Sequence, residues 1–125
     1  MIILNPEVFK AMQGFALSNH PNEIVVLLRG RKEKDDIIIT DYLLPPFGLG
    51  GRGFASFPSH MLPIDFTIMG TAHSHPSGVL QPSIGDFHNF YGRIMLIIGP
   101  PYDQPRVAAY NKSGELVKVK LSNIL

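Results

Sequence analysis

The first quarter of the chain shows a short apolar run and then apolar side chains at helical spacing. Residues 1–4 predict a strand, and Asn5 followed by Pro6 is typical of a helix start, because asparagine caps a helix and proline suits its first position. The helix is expected to end near residue 20, since Pro21 cannot continue it. Val8, Met12 and Phe15 are predicted to form its buried face, with Ala11 and Ala16 beside them.

Unbroken apolar runs later in the chain predict buried strands. Residues 23–29 and 93–99 are rich in Ile, Val and Leu, and residues 37–42 are expected to pair antiparallel with the first run. The run RGRKEKDD at 29–36 is mixed in sign and is interpreted as a solvated turn between those two strands. The remaining predictions are a strand over 64–75, a short helix over 84–91 capped by Ser83, and a hairpin that pairs 106–110 with 116–121.

Glycine and proline dominate residues 43–59 and interrupt the pattern of strands. We expect a mobile loop there, with a brief strand at 54–57, because glycine tolerates unusual backbone angles and makes few contacts. The order of elements predicts an α/β (α+β) fold, in which a mixed central β-sheet is flanked by helices. A chain of 125 residues is most simply one domain spanning 1–125.

Composition narrows the classes of function. The eleven Lys and Arg residues are scattered among ten Asp and Glu, and a net charge of +1 without a basic stripe argues against a nucleic-acid partner. The chain has no cysteine, which excludes disulfides, thiol nucleophiles and cysteine-bound zinc. No signal peptide is recognisable, and the longest apolar runs, 24–28 and 94–98, are too short to span a bilayer. We therefore expect a cytoplasmic protein without a membrane partner.

The stretch GTAHSHPSGVLQPSIGD at 70–86 carries the candidate chemistry. His73 and His75 are two residues apart on a predicted strand, so both imidazoles point to one face and can chelate one cation. Asp86 lies in the first turn of the next predicted helix, and the intervening loop can fold its carboxylate in as a third ligand. Two histidines and one carboxylate leave a fourth tetrahedral position open, as in catalytic rather than structural zinc sites. A water there ionises near neutral pH and becomes a nucleophile.

Each part of this stretch also has an ordinary structural interpretation. Ser83 followed three residues later by Asp86 is typical of a capping box at a helix start. A His-x-His pair on an apolar strand is often packed or exposed without binding a metal. The combination favours the metal interpretation, because two histidines, a proline, a serine and an aspartate stand at fixed offsets.

The sequence HSHP at 73–76, followed after six residues by SIGD at 83–86, resembles the signature of the JAMM (MPN+) family of zinc-dependent, deubiquitinase-type isopeptidases. That family also places a glutamate at the opening of an upstream buried strand, where Glu23 stands. The resemblance covers most of the chain, whose short length is similar to the compact archaeal and bacterial branch. It implies one MPN/JAMM domain with a zinc site laid out as in cytidine deaminases.

The resemblance implies a role for each of five side chains. His73, His75 and Asp86 would bind one Zn²⁺ per chain. Glu23 would act as general base on the zinc-bound water and then as general acid toward the leaving amine. Ser83 would donate a hydrogen bond to the tetrahedral oxyanion. The implied reaction is hydrolysis of the (iso)peptide bond that follows the C-terminal glycine of a ubiquitin-like modifier, so conjugates of such a modifier are the expected partners.

Two departures from other members of that family affect the expected specificity. Thr71 and Ala72 stand where some eukaryotic relatives have Trp and Tyr, and linkage-specific relatives hold a second zinc with cysteine in an inserted segment. This chain has neither cysteine nor room for that insertion, so a broader substrate is implied. An extended modifier tail could add to a sheet edge, and residues 48–56 are the hypothetical flank for it.

Three other interpretations of the sequence stay open. A non-catalytic MPN-type scaffold would share the fold, although such relatives lose some of the five residues. A JAMM hydrolase could instead act on sulfur-carrier protein adducts. A cupin-type iron or manganese enzyme would need another histidine on a later strand, and none follows His88. Monomer and homodimer are both compatible with the sequence.

Overall fold

Most of the secondary structure belongs to one mixed sheet. The computed structural model describes residues 1–45, 49–51, 54–56 and 65–123. In chain order the elements are β1 (Ile2–Leu4), α1 (Pro6–Asn19), β2 (Val25–Glu33), β3 (Asp36–Leu43), β4 (Leu49–Gly51), β5 (Phe54–Ser56), β6 (Ile68–Ser74), α2 (Ile84–His88), β7 (Ile94–Ile98), β8 (Val107–Asn111), β9 (Leu116–Val117) and β10 (Val119–Leu121). The predicted α+β class is confirmed.

The large sheet has the strand order β10-β1-β3-β2-β6-β7-β8-β9. β6 and β7 pair in parallel, as β1 does with both β3 and β10, while the other pairs are antiparallel. β9 and β10 are consecutive in the chain yet lie at opposite ends of this order. The last stretch of strand therefore pairs with β8 through its first half and with β1 through its second, which brings the two ends of the sheet together. The predicted single hairpin of 106–110 with 116–121 is wrong in its second half for this reason.

Side chains alternate between the two faces of the sheet, and the main core lies on the face that α1 covers. On β7, Ile94, Leu96 and Ile98 join this core, whereas Met95 and Ile97 face the other side and pack against Leu80 and Phe90. All five side chains of β7 are buried as a result, and each buried Ile or Leu contributes about 1.5–3 kcal/mol. β7, which pairs with β6, is therefore held by packing on both faces of the sheet.

The predicted helix is confirmed as α1, including its cap: the Asn5 side chain accepts hydrogen bonds from the N–H groups of Glu7 and Val8. The predicted buried face was partly wrong, since Ala11 is exposed and Val8 and Phe15 are only half buried. The buried residues of the helix are Phe9, Met12, Gln13 and Ala16. Gln13 can turn inward because its amide donates to the carbonyl of Gln104 at 2.6 Å, which satisfies a polar group that burial would otherwise penalise.

The charged run at 29–36 is mostly strand rather than turn, so that prediction was wrong. β2 continues to Glu33 and β3 begins at Asp36, which leaves only Lys34 and Asp35 to turn the chain. Charged side chains are compatible with this ladder because Arg31, Lys32 and Glu33 at the end of β2 are all exposed. The short helix α2 likewise ends three residues earlier than predicted, at His88.

Part of the glycine-rich region is a small hairpin. The strand predicted at 54–57 is confirmed as β5 over its first three residues, and β4 pairs with it antiparallel. Residues 46–48, 52–53 and 57–64 lie outside the described part of the chain, as do much of the predicted mobile loop and part of the proposed flank at 48–56. Among the described residues, no helix is long and apolar enough to cross a membrane.

Candidate metal centre

β6 delivers both histidines to the face of the sheet opposite α1. His73 is the last residue but one of this strand, is 7% exposed, and pairs with Val25 on one side and Ile97 on the other. His75 follows the end of β6, and its N–H extends the ladder by donating to the carbonyl of Ile98 at 2.9 Å. The two imidazoles are consequently stacked, with centroids 4.9 Å apart and planes 30° apart. The prediction that they share a face is confirmed.

Asp86 is held by the start of α2. The Ser83 hydroxyl oxygen accepts the N–H of Asp86 at 3.1 Å, and the N–H of Ser83 donates to Asp86 Oδ2 at 2.8 Å, so the predicted capping box is present. The same Oδ2 lies 3.1 Å from Nε2 of His75 and 3.4 Å from Nε2 of His73. The helix start therefore aims one carboxylate oxygen at both rings.

The spacing of these three side chains fits a tetrahedral ion. One donor atom from each of His73, His75 and Asp86 lies within 4.8 Å of the other two. Bonds of about 2.0–2.2 Å to zinc place neighbouring tetrahedral ligands about 3.3 Å apart. The measured nitrogen–oxygen distances of 3.1 and 3.4 Å bracket that value.

The polar atoms around the two rings fit a cation between them. Nδ1 of His75 lies 2.8 Å from the carbonyl oxygen of Val79, and since a carbonyl only accepts, this nitrogen carries a proton. In the neutral ring Nε2 then presents a lone pair to the Asp86 carboxylate. Nε2 of His73 is also buried and has no hydrogen-bond partner among the described residues. Lone pairs that converge in this way repel one another unless a positive charge lies between them, and a donor set of two nitrogens and one oxygen suits Zn²⁺.

The electrostatics of the site keep the carboxylate ionised. Partial burial acts to raise the pKa of Asp86, but the two histidine rings and the N–H of Ser83 outweigh it and hold this pKa well below its ordinary range. Burial acts to lower the pKa of His75, yet the Asp86 carboxylate, the Val79 carbonyl and the charge of Glu23 together raise it. The Asp86 carboxylate is therefore available as a ligand at neutral pH.

Glu23 lies on the same side of the sheet, two residues before β2 begins. The N–H of Ile24 donates to the Ser74 hydroxyl at 2.9 Å, and the N–H of Ser74 donates to the Ile24 carbonyl at 3.1 Å. These bonds tie the chain beside Glu23 to the residue between the two histidines. The Ile24–Ser74 hydrogen bonds place the chain at Glu23 beside the strand that carries His73, and the charge of Glu23 acts to raise the pKa of His75.

One group that contacts a predicted ligand, the Val79 carbonyl, was not identified from the sequence. The Val79 carbonyl fixes which nitrogen of His75 is protonated, and it is a backbone atom that no residue pattern marks. The only hint was its place in the loop between the second histidine and Ser83. The catalytic roles of Glu23 and Ser83 stay predictions.

Comparisons with known proteins agree with this geometry. The family profile for prokaryotic homologs of the JAB domain, Prok-JAB, matches residues 5–112. A probable metalloprotease of Haloferax volcanii is 38% identical over 104 residues, which are 78% of this chain and 65% of that protein. The chain thus spans just under two thirds of the length of this curated relative.

Solved structures share the fold over nearly the whole chain. One, described as a JAMM metalloprotease-like zinc site in the proteasome and signalosome, has a TM-score of 0.73 and 25% identity, covering 98% of this chain and 99% of its own. A JAB1/MPN domain protein from Archaeoglobus fulgidus has a TM-score of 0.70 and 31% identity, covering 98% and 100%. A protein from Desulfitobacterium hafniense, solved in solution, shows the same fold at 21% identity, with a TM-score of 0.72 and coverage of 100% and 95%.

The metal implied by this likeness is Zn²⁺, and the three converging side chains are positioned to bind it. The profile match over residues 5–112 and the curated relative are consistent with the site built from His73, His75 and Asp86. The chain belongs to the Prok-JAB family, the prokaryotic homologs of the JAB domain, and carries its metalloprotease-like JAMM zinc site.

Proposed function

We propose that this protein is a zinc-dependent isopeptidase, which hydrolyses the (iso)peptide bond after the C-terminal glycine of a ubiquitin-like modifier. The observation that supports this most is the convergence of His73, His75 and Asp86, whose three donor atoms leave a fourth tetrahedral position for substrate or water. A purely structural zinc would be enclosed by four protein ligands. Among the described residues, only these three form such a group.

When bound, Zn²⁺ polarises a carbonyl and lowers the pKa of a water molecule to near neutrality. The protein must then move protons. Glu23 accepts a proton from the attacking water and later gives it to the leaving amine, a task that requires a carboxylate within hydrogen-bond reach of the reacting atoms. Its position two residues before β2, on a segment tied through Ile24 to Ser74, supports this role.

Ser83 is suited to stabilise the negative charge that develops on the carbonyl oxygen. In the capping box its hydroxyl oxygen accepts a hydrogen bond, so its hydroxyl hydrogen is still available to donate. The side chain is exposed and lies three residues from the ligand Asp86. One side chain can therefore both cap α2 and donate to an oxyanion.

The test uses a ubiquitin-like modifier ending in Gly-Gly, joined by an isopeptide bond to a lysine-containing fluorescent peptide. We expect cleavage after the last glycine, loss of cleavage with a chelator, and recovery when zinc is added back. Glu23→Gln should keep zinc and lose turnover, whereas His75→Ala should lose both.

Two further substrates separate the alternatives. A linear modifier fusion and a sulfur-carrier protein adduct are assayed beside the isopeptide conjugate. Preference for the adduct would move the substrate class to sulfur-carrier chemistry. Full zinc occupancy without hydrolysis of any of the three would contradict the proposal and favour a non-catalytic scaffold.

A further inference from the structure

Three consecutive backbone carbonyls between the metal ligands accept hydrogen bonds from three different side chains. Residues 78–80, named here the carbonyl loop, lie between His75 and α2. The Gly78 carbonyl accepts from Nη2 of Arg106 at 3.0 Å, and the Leu80 carbonyl accepts from the Tyr110 hydroxyl at 2.9 Å. The carbonyl between them, that of Val79, accepts from Nδ1 of His75 at 2.8 Å.

Both outer donors are fixed by the central sheet. Tyr110 lies on β8 opposite Met95 of β7 and is 8% exposed. Its hydroxyl therefore extends to the carbonyl loop from a buried strand. Arg106 immediately precedes β8 and also donates from Nη1 to the Pro100 carbonyl at 2.7 Å. A planar guanidinium can hold two carbonyls at once in a fixed relative position, which the single ammonium of a lysine does less well.

The carbonyl loop is also seated by close packing. Leu80 packs into the buried cluster of Met95, Ile97 and Tyr110. A Cβ on Gly99 would lie only 3.0 Å from Leu80 Cδ2 and 3.4 Å from Gly78 Cα, so no side chain fits beneath the loop without moving it. The carbonyl loop is therefore held by hydrogen bonds at Gly78 and Leu80 and by packing from Leu80.

We propose that Arg106 and Tyr110 are positioning residues for the metal centre: by holding the carbonyls of Gly78 and Leu80, they aim the Val79 carbonyl at His75. That carbonyl keeps the ring proton on Nδ1, so Nε2 stays unprotonated and oriented toward the metal. Partners of this kind typically affect metal affinity 10- to 100-fold. The inference rests on the metal centre of the proposed function but not on the bond that is hydrolysed.

The test measures zinc affinity by competition with a chromophoric chelator for Tyr110→Phe, Arg106→Met and Arg106→Lys. Tyr110→Phe removes only a hydroxyl, so the buried ring and the fold are retained. We expect zinc affinity to fall about 10-fold in Tyr110→Phe and up to about 100-fold in Arg106→Met, with partial recovery in Arg106→Lys. The matched controls are Tyr42→Phe on β3 and Arg31→Met on β2, which should bind zinc as the wild type does.

A second readout separates positioning from general loosening. Imidazole ¹H–¹⁵N spectra of the metal-free protein report how fast the His75 Nδ1–H exchanges with water, which its hydrogen bond to the Val79 carbonyl slows. This exchange should be slow in the wild type and clearly faster in Arg106→Met. Unchanged zinc affinity in Tyr110→Phe and Arg106→Met would overturn the proposal. Weaker binding with the exchange of the His75 Nδ1–H unchanged in Arg106→Met would overturn it too, since the loss would then not pass through His75. Because neither readout involves turnover, failure of the isopeptidase proposal would leave this result unaffected.

Discussion

Replacement of Ser83 distinguishes a helix cap from an oxyanion donor, because glycine and alanine differ in one role only. Both remove the hydroxyl that would donate to the oxyanion. At an N-cap, however, alanine costs about 1 kcal/mol, whereas glycine costs only a few tenths. The Ser83 cap is a single exposed hydrogen bond of 3.1 Å on a five-residue helix. We therefore expect Ser83→Ala to cost about 0.5 kcal/mol of folding free energy, the low end of the range for N-caps.

These differences predict two separate patterns in stability and rate. Ser83→Ala should lower the melting temperature by about 2 °C, and Ser83→Gly by less. If Ser83 donates to the oxyanion, both variants should lose about 100- to 1000-fold in kcat on a modifier conjugate, equivalent to about 2.7–4 kcal/mol. Ser83→Thr retains the cap and the hydroxyl and should retain most activity.

The assay combines thermal unfolding, zinc content and steady-state kinetics on each variant. Zinc content is needed because the N–H of Ser83 also holds Asp86 Oδ2, a contact that both replacements leave in place. If Ser83→Gly keeps nearly wild-type kcat while Ser83→Ala loses activity in proportion to its lost stability, Ser83 is a cap and no more. That result would refute the oxyanion role.

Three further predictions test other parts of the account. Glu23→Gln should bind zinc as the wild type does but lose about 100- to 10,000-fold in kcat, and equal activity would exclude Glu23 as the base. Gly70→Ala should destabilise the fold by about 1–3 kcal/mol in urea unfolding, because its Cβ would clash with the Ile94 carbonyl oxygen. The matched control Gly14→Ala, in a helix with no described atom within 4 Å of the new Cβ, should instead stabilise by about 0.5–1 kcal/mol. Burial raises the pKa of Tyr102, the Ser74 hydroxyl lowers it and the charge of Glu23 raises it, so the folded protein holds this proton to higher pH than the unfolded chain. The associated stability is fully present below the unfolded pKa of about 10 and is lost as pH rises through the folded pKa; Tyr102→Phe should remove this alkaline dependence, and an identical decline of the urea midpoint in both proteins would contradict the assignment.

The convergence of His73, His75 and Asp86 could be predicted because local rules govern their positions. His73 and His75 share a face through the alternation of a single strand, and the capping box fixes Asp86 within one turn of α2. The position of Glu23 follows from strand pairing instead: Ile24 meets Ser74 across fifty residues of sequence. Composition and periodicity do not reveal such a pairing, so this residue was placed by resemblance to a family.

Tertiary contacts decided the features that the sequence did not reveal. The buried face of α1 includes Gln13, whose amide donates to the carbonyl of the distant Gln104. Helical periodicity does not encode such a contact. Within the segment 116–121, β9 pairs with β8 and β10 pairs with β1, and this divided pairing brings the two ends of the sheet together. The carbonyl that orients His75 belongs to the backbone, whose direction depends on Arg106 and Tyr110.

The most direct test of the central claim is zinc stoichiometry by equilibrium dialysis, compared between the wild type and Asp86→Asn. Asparagine preserves the size of the side chain but lacks the negative charge of the carboxylate that would bind the cation together with the two imidazoles. The account predicts one tightly bound zinc per wild-type chain and a large loss of affinity in the variant. A wild type that binds no zinc, or an Asp86→Asn protein that binds it as tightly, would show that His73, His75 and Asp86 are not the metal centre.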